Sequence, residues 1–221
     1  MKAGYKQTEV GVIPEDWDVK TLGEMGSFSK GSGVKKSEAS SGSINCVRYG
    51  ELYTKHHEII RDFHSNISKE VAATSRPIGA GDILFACSGE TKAEIGKCAA
   101  YLGNEVAYAG GDIIVLSPHS DDSEFLGYLL NAPLVAGQKA KTGQGDAVVH
   151  TNANALSKVT VPLPNKDEQK AIAGALSDVD GLIAGLEALI AKKRSLKTAT
   201  MQQLLTSKTR LLGFGEGVGM K

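Results

Sequence analysis

Val161 to Thr206 constrains this chain more than any other segment. There V-P-L-P-N-K-D-E-Q runs into roughly forty residues of unbroken helical pattern, whose apolar stripe is longer than a compact domain can cover. Pro162 and Pro164 break the preceding element. Asn165 is a favourable N-cap, and Asp167 and Glu168 put negative charge in the first turn, where the helix dipole favours it. The helix is predicted to begin near Lys166. Ile172, Val179 and Leu186 recur every seven residues, as do Leu182, Leu189 and Leu196, while Leu176, Ile183, Ile190 and Leu204 fill a flanking column. That is an a/d stripe widened by e. No proline interrupts Asp167 to Thr206, and at about 1.5 Å per residue the helix is on the order of 60 Å long. Globular helices usually run about 8–20 residues, so a coiled coil is expected instead of a helix packed on a sheet. Lys193, on the a column, costs packing in a two-stranded seam and restricts register or partner.

The remainder, residues 1–165, is long enough for one domain with its own core. Residues 208–221 read as a flexible tail, glycine-rich from Gly213 (G-F-G-E-G-V-G). Charge is balanced at 25 basic and 25 acidic residues, but unevenly: residues 1–165 hold 16 Lys and Arg against 19 Asp and Glu, and 166–210 hold 8 against 5. Nucleic-acid contact by the front domain therefore needs a local patch, because the net field gives no help. Cys46, Cys87 and Cys98 are odd in number, with no C-x-x-C, as expected of small core thiols in a reducing cytoplasm. The N-terminus has no apolar leader-like core, and no run approaches membrane-spanning length, so a membrane partner is not expected.

The front domain reads as mixed α/β. Val10 to Trp17 is a short extended segment closed by a proline turn, and Val19 to Phe28 fits a short strand or helix. Lys30 to Ser43 is a polar loop rich in Gly, Ser and Lys. Ile44 to Tyr49, Ile83 to Cys87, Glu94 to Leu102 and Val106 to Leu116 read as strands, the last interrupted by Gly110 and Gly111. Glu124 to Leu134 is a helix ending near Pro133.

Several motifs occur in order: I-P-E-D-W at Ile13 to Trp17, K-G at Lys30, V-R-Y-G-E-L-Y at Val47 to Tyr53, and G-D-I-L-F-A-C-S-G-E-T at Gly81 to Thr91. Then come I-G-K at Ile95, A-Y-A-G-G-D-I-I-V-L at Ala107 to Leu116, G-Q-G-D-A-V-V-H at Gly143 to His150, and P-L-P-N-K-D-E-Q at Pro162 to Gln169. Together they resemble the DNA-specificity subunit of type I restriction-modification systems, from about Tyr5 to Phe214. The resemblance implies an α+β target recognition domain followed by one long conserved-region helix that forms an antiparallel coiled coil. Family members usually carry two such units in tandem, whereas this chain carries one. A second copy would complete it, giving a homodimer that reads a bipartite palindrome. Its interface would be Ile172, Leu176, Val179, Leu182, Ile183, Leu186, Leu189, Ile190 and Leu196. The implied partners are double-stranded DNA, a methyltransferase subunit that binds S-adenosylmethionine and, in the restriction complex, a nuclease subunit.

No cofactor is expected in this chain, and no catalysis. It has no N-P-P-[FY] methylation motif, and Lys35-Lys36-Ser37 lacks the glycine a P-loop needs before its lysine. His56, His57, His64 and Asp62 lack zinc-ligand spacing. No G-x-S-x-G elbow is present.

Base readers are expected among exposed polar side chains on loops. The candidates are Lys30, Ser32, Lys35 and Lys36; Arg48 and Tyr49 at a strand end; Ser88, Glu90, Thr91 and Lys92; and Lys139, Lys141, Gln144 and His150. Simpler roles remain open for several. Lys35 and Lys36 can be merely solvated, Arg48 can pair with Glu51, Gly143 and Gly145 can only supply a turn, and His150 can be structural. The competing class is a non-catalytic coiled-coil adaptor that binds a protein without reading bases.

Overall fold

Short apolar runs parted by glycine and polar turns form the strands, and the seven-residue stripe forms one helix. The structure, a computed structural model, describes residues 4–117 and 119–214. The chain opens with β1 (Tyr5–Thr8), β2 (Gly11–Pro14), β3 (Asp18–Thr21), α1 (Leu22–Met25) and β4 (Phe28–Lys30). A polar stretch follows, holding one 3-10 turn at Lys36–Glu38. Next come β5 (Ile44–Val47), α2 (Tyr49–Thr54), β6 (Ile59–Ile60), β7 (Ser65–Ile67), α3 (Lys69–Ala72), β8 (Arg76–Ile78), β9 (Ile83–Ala86) and β10 (Ser88–Gly89). Then follow β11 (Cys98–Tyr101), β12 (Ala107–Ala109), β13 (Ile113–Leu116), α4 (Ser123–Asn131), α5 (Pro133–Ala140), β14 (Val149–His150), α6 (Ala153–Leu156), β15 (Thr160–Leu163) and α7 (Lys166–Leu205).

A five-stranded sheet runs β4-β13-β9-β11-β6 and a four-stranded sheet β7-β5-β12-β8, with β1-β2, β10-β14 and β15-β3 as two-stranded pairs. Neighbouring residues of β9 and β13 go to opposite faces, so both faces of the larger sheet are covered. Ile83, Phe85, Ile114 and Leu116 pack with Leu126 and Leu130 of α4 and Val135 of α5. Leu84, Ala86, Ile113 and Val115 pack with Val47, Ala107 and Ala109 of the smaller sheet. This explains why I-L-F-A and I-I-V-L are continuously apolar: each strand is buried on two sides. Burial of each large side chain stabilises by roughly 1.5–3 kcal/mol.

The mixed α/β expectation stands, with local corrections. The expected break at Gly110 and Gly111 sends β12 and β13 into different sheets. Only Cys98–Tyr101 of the expected strand from Glu94 is extended, because Lys97 N–H turns back to Glu94 O at 3.0 Å. The strand from Ile44 stops at Val47, and Tyr49 opens a helix. Pro133 does not close the helical region. It takes the first position of α5, where a missing N–H costs nothing. The glycine-rich tail lies, from residue 215 on, outside the described residues.

Helix α7 spans 40 residues from Lys166. Asn165 Oδ1 caps it by accepting from Glu168 N–H at 3.0 Å. Gln169, only 1% exposed, ties its first turn to the domain. Its Oε1 accepts from Asp122 N–H at 2.8 Å, and its Nε2 donates to Asp121 Oδ1 at 2.9 Å and Pro164 O at 3.0 Å. The chain divides into two compact units, Met1–Ala173 and Gly174–Lys221. Ile172 therefore departs from its expected seam role: it is half-buried against the first unit's own core. Leu176, Val179, Leu182, Ile183, Leu186, Leu189, Ile190 and Leu196 are between 40% and 63% exposed. No helix among the described residues is long and apolar enough to cross a membrane.

Candidate nucleic-acid interface

Strand pairing gathers polar candidates from several stretches of sequence at one end of the first unit. Ala86 pairs with Ile113 and Lys30 with Ile114, so the carboxyl ends of β9 and β4 meet the amino end of β13. In the smaller sheet Val47 pairs with Ala109 at the same strand ends. Backbone hydrogen bonds tie these strand ends together, and the one from Ser32 N–H crosses between the two sheets. Gly31 N–H donates to Ile113 O at 2.8 Å, Ser32 N–H to Ala109 O at 3.3 Å, Gly110 N–H to Val47 O at 2.9 Å, and Cys87 N–H to Asp112 O at 2.9 Å. Thr151 N–H reaches Cys87 O at 3.0 Å, and Ser88 pairs with His150. Lys30, Ser32, Arg48, Ser88 and His150, from four separate stretches of sequence, thus share one rim.

Glycine is required at its tightest point. A Cβ on Gly31 would lie 2.1 Å from Gly110 O. Beside this contact Val34 and Asp112 hold positive φ, 57° and 60°, a conformation disfavoured for a β-branched residue. Burial pushes the Cys87 thiol pKa up; neighbouring Asp112 raises it further and Lys30 lowers it. Lys30 is exposed at this rim.

The individual candidates differ in accessibility. Lys35, Lys36, Tyr49, Glu90, Thr91, Lys92, Lys141, Gln144 and His150 are exposed, and Arg48 is half-buried. Ser32 Oγ donates to Thr74 O at 2.7 Å, which orders its loop. Lys139 departs from expectation: α5 turns it inward, where it is 2% exposed, donates to Gly96 O at 2.6 Å and lies 5.8 Å from the Phe85 ring centroid. Burial lowers its pKa, and it cannot reach a ligand outside. Ser88, 3% exposed, is likewise committed inward, to His150 Nδ1 at 2.9 Å. His150 therefore positions a strand pair while its ring stays accessible.

Glu51 is occupied without the Arg48 guanidinium. Its carboxylate accepts from the Arg48 backbone N–H at 3.1 Å and from Ser65 Oγ, and faces His56 Nε2 at 3.9 Å. Gly145, at φ 102°, supplies the expected turn, since a Cβ there would meet Val148 O at 2.3 Å. The residues about this turn also form part of a polar cavity of about 610 Å³ that places Lys141 and Gln144 with Lys158 and Asn154. Lys158 and Asn154 carried no local sequence signal; they meet the others only through the fold.

The family model for the type I restriction modification DNA specificity domain matches residues 14–193. This chain belongs to that family. It is 26% identical over 215 residues to the type I restriction enzyme MjaVIII specificity subunit of Methanocaldococcus jannaschii, covering 94% of this chain and 49% of the relative. The MjaIX specificity subunit of the same organism is 27% identical over 183 residues, covering 81% of this chain and 41% of that protein. The fold resembles that of the type I restriction-modification S subunit from M. genitalium, with a TM-score of 0.58 at 18% identity over 85% of this chain and 45% of the other. The chain spans about half the length of the curated relatives it matches.

Proposed function

We propose that this chain reads DNA for a type I restriction-modification complex, working as a homodimer on a bipartite, palindromic site. The observation that carries the reading is the family match, which runs through the mixed α/β unit and on into the long helix. The domain assignment follows: residues 1–165 recognise the target, 166–207 form the dimerising and docking helix, and 208–221 are a tail. The exposed leucines and isoleucines of α7 pack against a second copy in antiparallel fashion, which removes them from water. Lys30, Lys35, Lys36, Lys92 and Lys141 contact phosphates, while Arg48, Gln144 and the accessible ring of His150 approach base edges. Catalysis belongs to a methyltransferase subunit that carries S-adenosylmethionine, and in the restriction complex to a nuclease subunit.

The competing adaptor reading is favoured by the slight acidity of residues 1–165. Selection of duplexes from a random library by the purified chain with its methyltransferase separates the two. The expected result is enrichment of one split palindrome, with affinity that falls steeply as salt rises because phosphate contacts release counterions. Failure to enrich any motif, with binding indifferent to salt, would sink the DNA-reading proposal.

A further inference from the structure

Beside the rim lies a cavity of about 440 Å³, within the range of pockets that hold small ligands, about 300–1,000 Å³. Tyr49, Tyr53, Gly89, Glu90, Glu94 and Val148 are among the residues that line it. Tyr49, Tyr53 and Val148 supply aromatic and apolar wall. Gly89 leaves the wall thin, since a Cβ there would lie 2.7 Å from the Tyr53 hydroxyl. That hydroxyl is buried and has no hydrogen-bond partner among the described residues, an arrangement that native proteins seldom leave unfilled. Glu90 and Glu94 are exposed, and the Glu94 carboxylate accepts from Thr91 Oγ1 at 3.2 Å. Burial holds the Tyr53 phenol above its usual range, and Glu94, Cys87 and Tyr49 push it further in the same direction. None of these neighbours is a cation.

Two carboxylates at such a mouth oppose a phosphate backbone, so this part of the rim is poorly suited to DNA. They suit a planar cation. A guanidinium stacks on tyrosine faces and donates to carboxylates in pairs, whereas an ammonium offers a smaller, more strongly hydrated head. We propose that this cavity receives an arginine side chain presented by a partner protein other than a second copy of this chain. The self-association proposed above draws on the α7 stripe and leaves the cavity to a different protein. Assigning the cavity to a different protein rests on that proposed self-association, whereas the groups that would hold the arginine are all the first unit's own.

The test is fluorine NMR of the full chain with its six tyrosines replaced by 3-fluorotyrosine, the signals being assigned with Tyr49→Phe and Tyr53→Phe. The probe is N-acetylarginine amide. It is expected to shift the Tyr49 and Tyr53 signals saturably, with the lysine analogue weaker and the leucine analogue silent. Glu90→Gln with Glu94→Gln, two surface changes that preserve the fold, should weaken binding roughly tenfold or more. Absence of a saturable shift would overturn the proposal, as would an undiminished shift in the double variant. A nucleoside such as deoxyadenosine or deoxycytidine that moves the signals as far as the arginine amide would assign the cavity to an unstacked base instead. Signals that change on diluting the protein alone would assign it to a second copy.

Discussion

Lys139 sits where water does not reach, held by a carbonyl and an aromatic ring and without a carboxylate partner among the described residues. Its stem fills core space, so Lys139→Ala is expected to cost on the order of 2–3 kcal/mol in urea unfolding, as for other large-to-small core changes. Lys139→Met should fold and leave the salt dependence of DNA binding unchanged. Lys141→Ala, on the surface, should reduce the slope of log K against log salt by about 0.9, as expected for one lost phosphate contact. A reduced slope for the Met variant, or an unchanged one for Lys141→Ala, would contradict these assignments. His56 gives a second residue-level prediction. Burial lowers its pKa; Glu51 opposes this, and His64 and His57 add to the lowering while Asp62 resists it. A histidine held below its unfolded pKa contributes stability that is present above about pH 6.5 and lost as pH falls through that value, by at most about 1.4 kcal/mol per pH unit. Denaturation midpoints of His56→Gln should therefore fall less between neutral and mildly acidic pH than those of the parent. The inward aim of Lys139 was hidden in the sequence because Pro133 looks like a stop signal, and only the packed structure shows that it starts the helix carrying Lys139.

At the scale of elements, α7 was legible almost to the residue, since an Asn cap, acidic first turn and seven-residue stripe all act locally. The strands were legible as apolar runs, but not their pairing. That Lys30, Arg48, Ser88 and His150 share a rim depends on β4 and β9 flanking β13, on β14 pairing with β10, and on Ser32 N–H reaching Ala109 O beside β5, long-range pairings that no local pattern encodes. Gln169 stands in the sequence only as the end of a motif, although it anchors the first turn of α7 to the loop before α4. The stripe itself makes a direct prediction. Leu186→Glu would bury an unpaired charge in a self-associating seam, so the variant is expected to sediment as a monomer with an intact first unit. A variant that remains dimeric would show that the copies meet elsewhere.

At the scale of the molecule, the helix matters through its length as well as its stripe. In an antiparallel pair, the span between two recognition units grows with every turn added to both copies. Seven residues inserted after Leu186 add about 10.5 Å while nearly preserving the phase of the stripe. At about 3.4 Å per base pair, the unread gap should widen by roughly three base pairs, with both half-sites unchanged. Two inserted residues instead rotate the distal stripe by about 200°. That splits the seam into halves facing opposite ways and should weaken dimerisation, an outcome that a simple linker would not produce. Sedimentation and methylation-site mapping of both variants with the methyltransferase present would distinguish a ruler from a tether. A ruler gives a longer gap with the first insertion and loss of site-specific methylation with the second. Equal tolerance of both insertions, with the gap unchanged, would mean that the separation of half-sites is set by something other than α7.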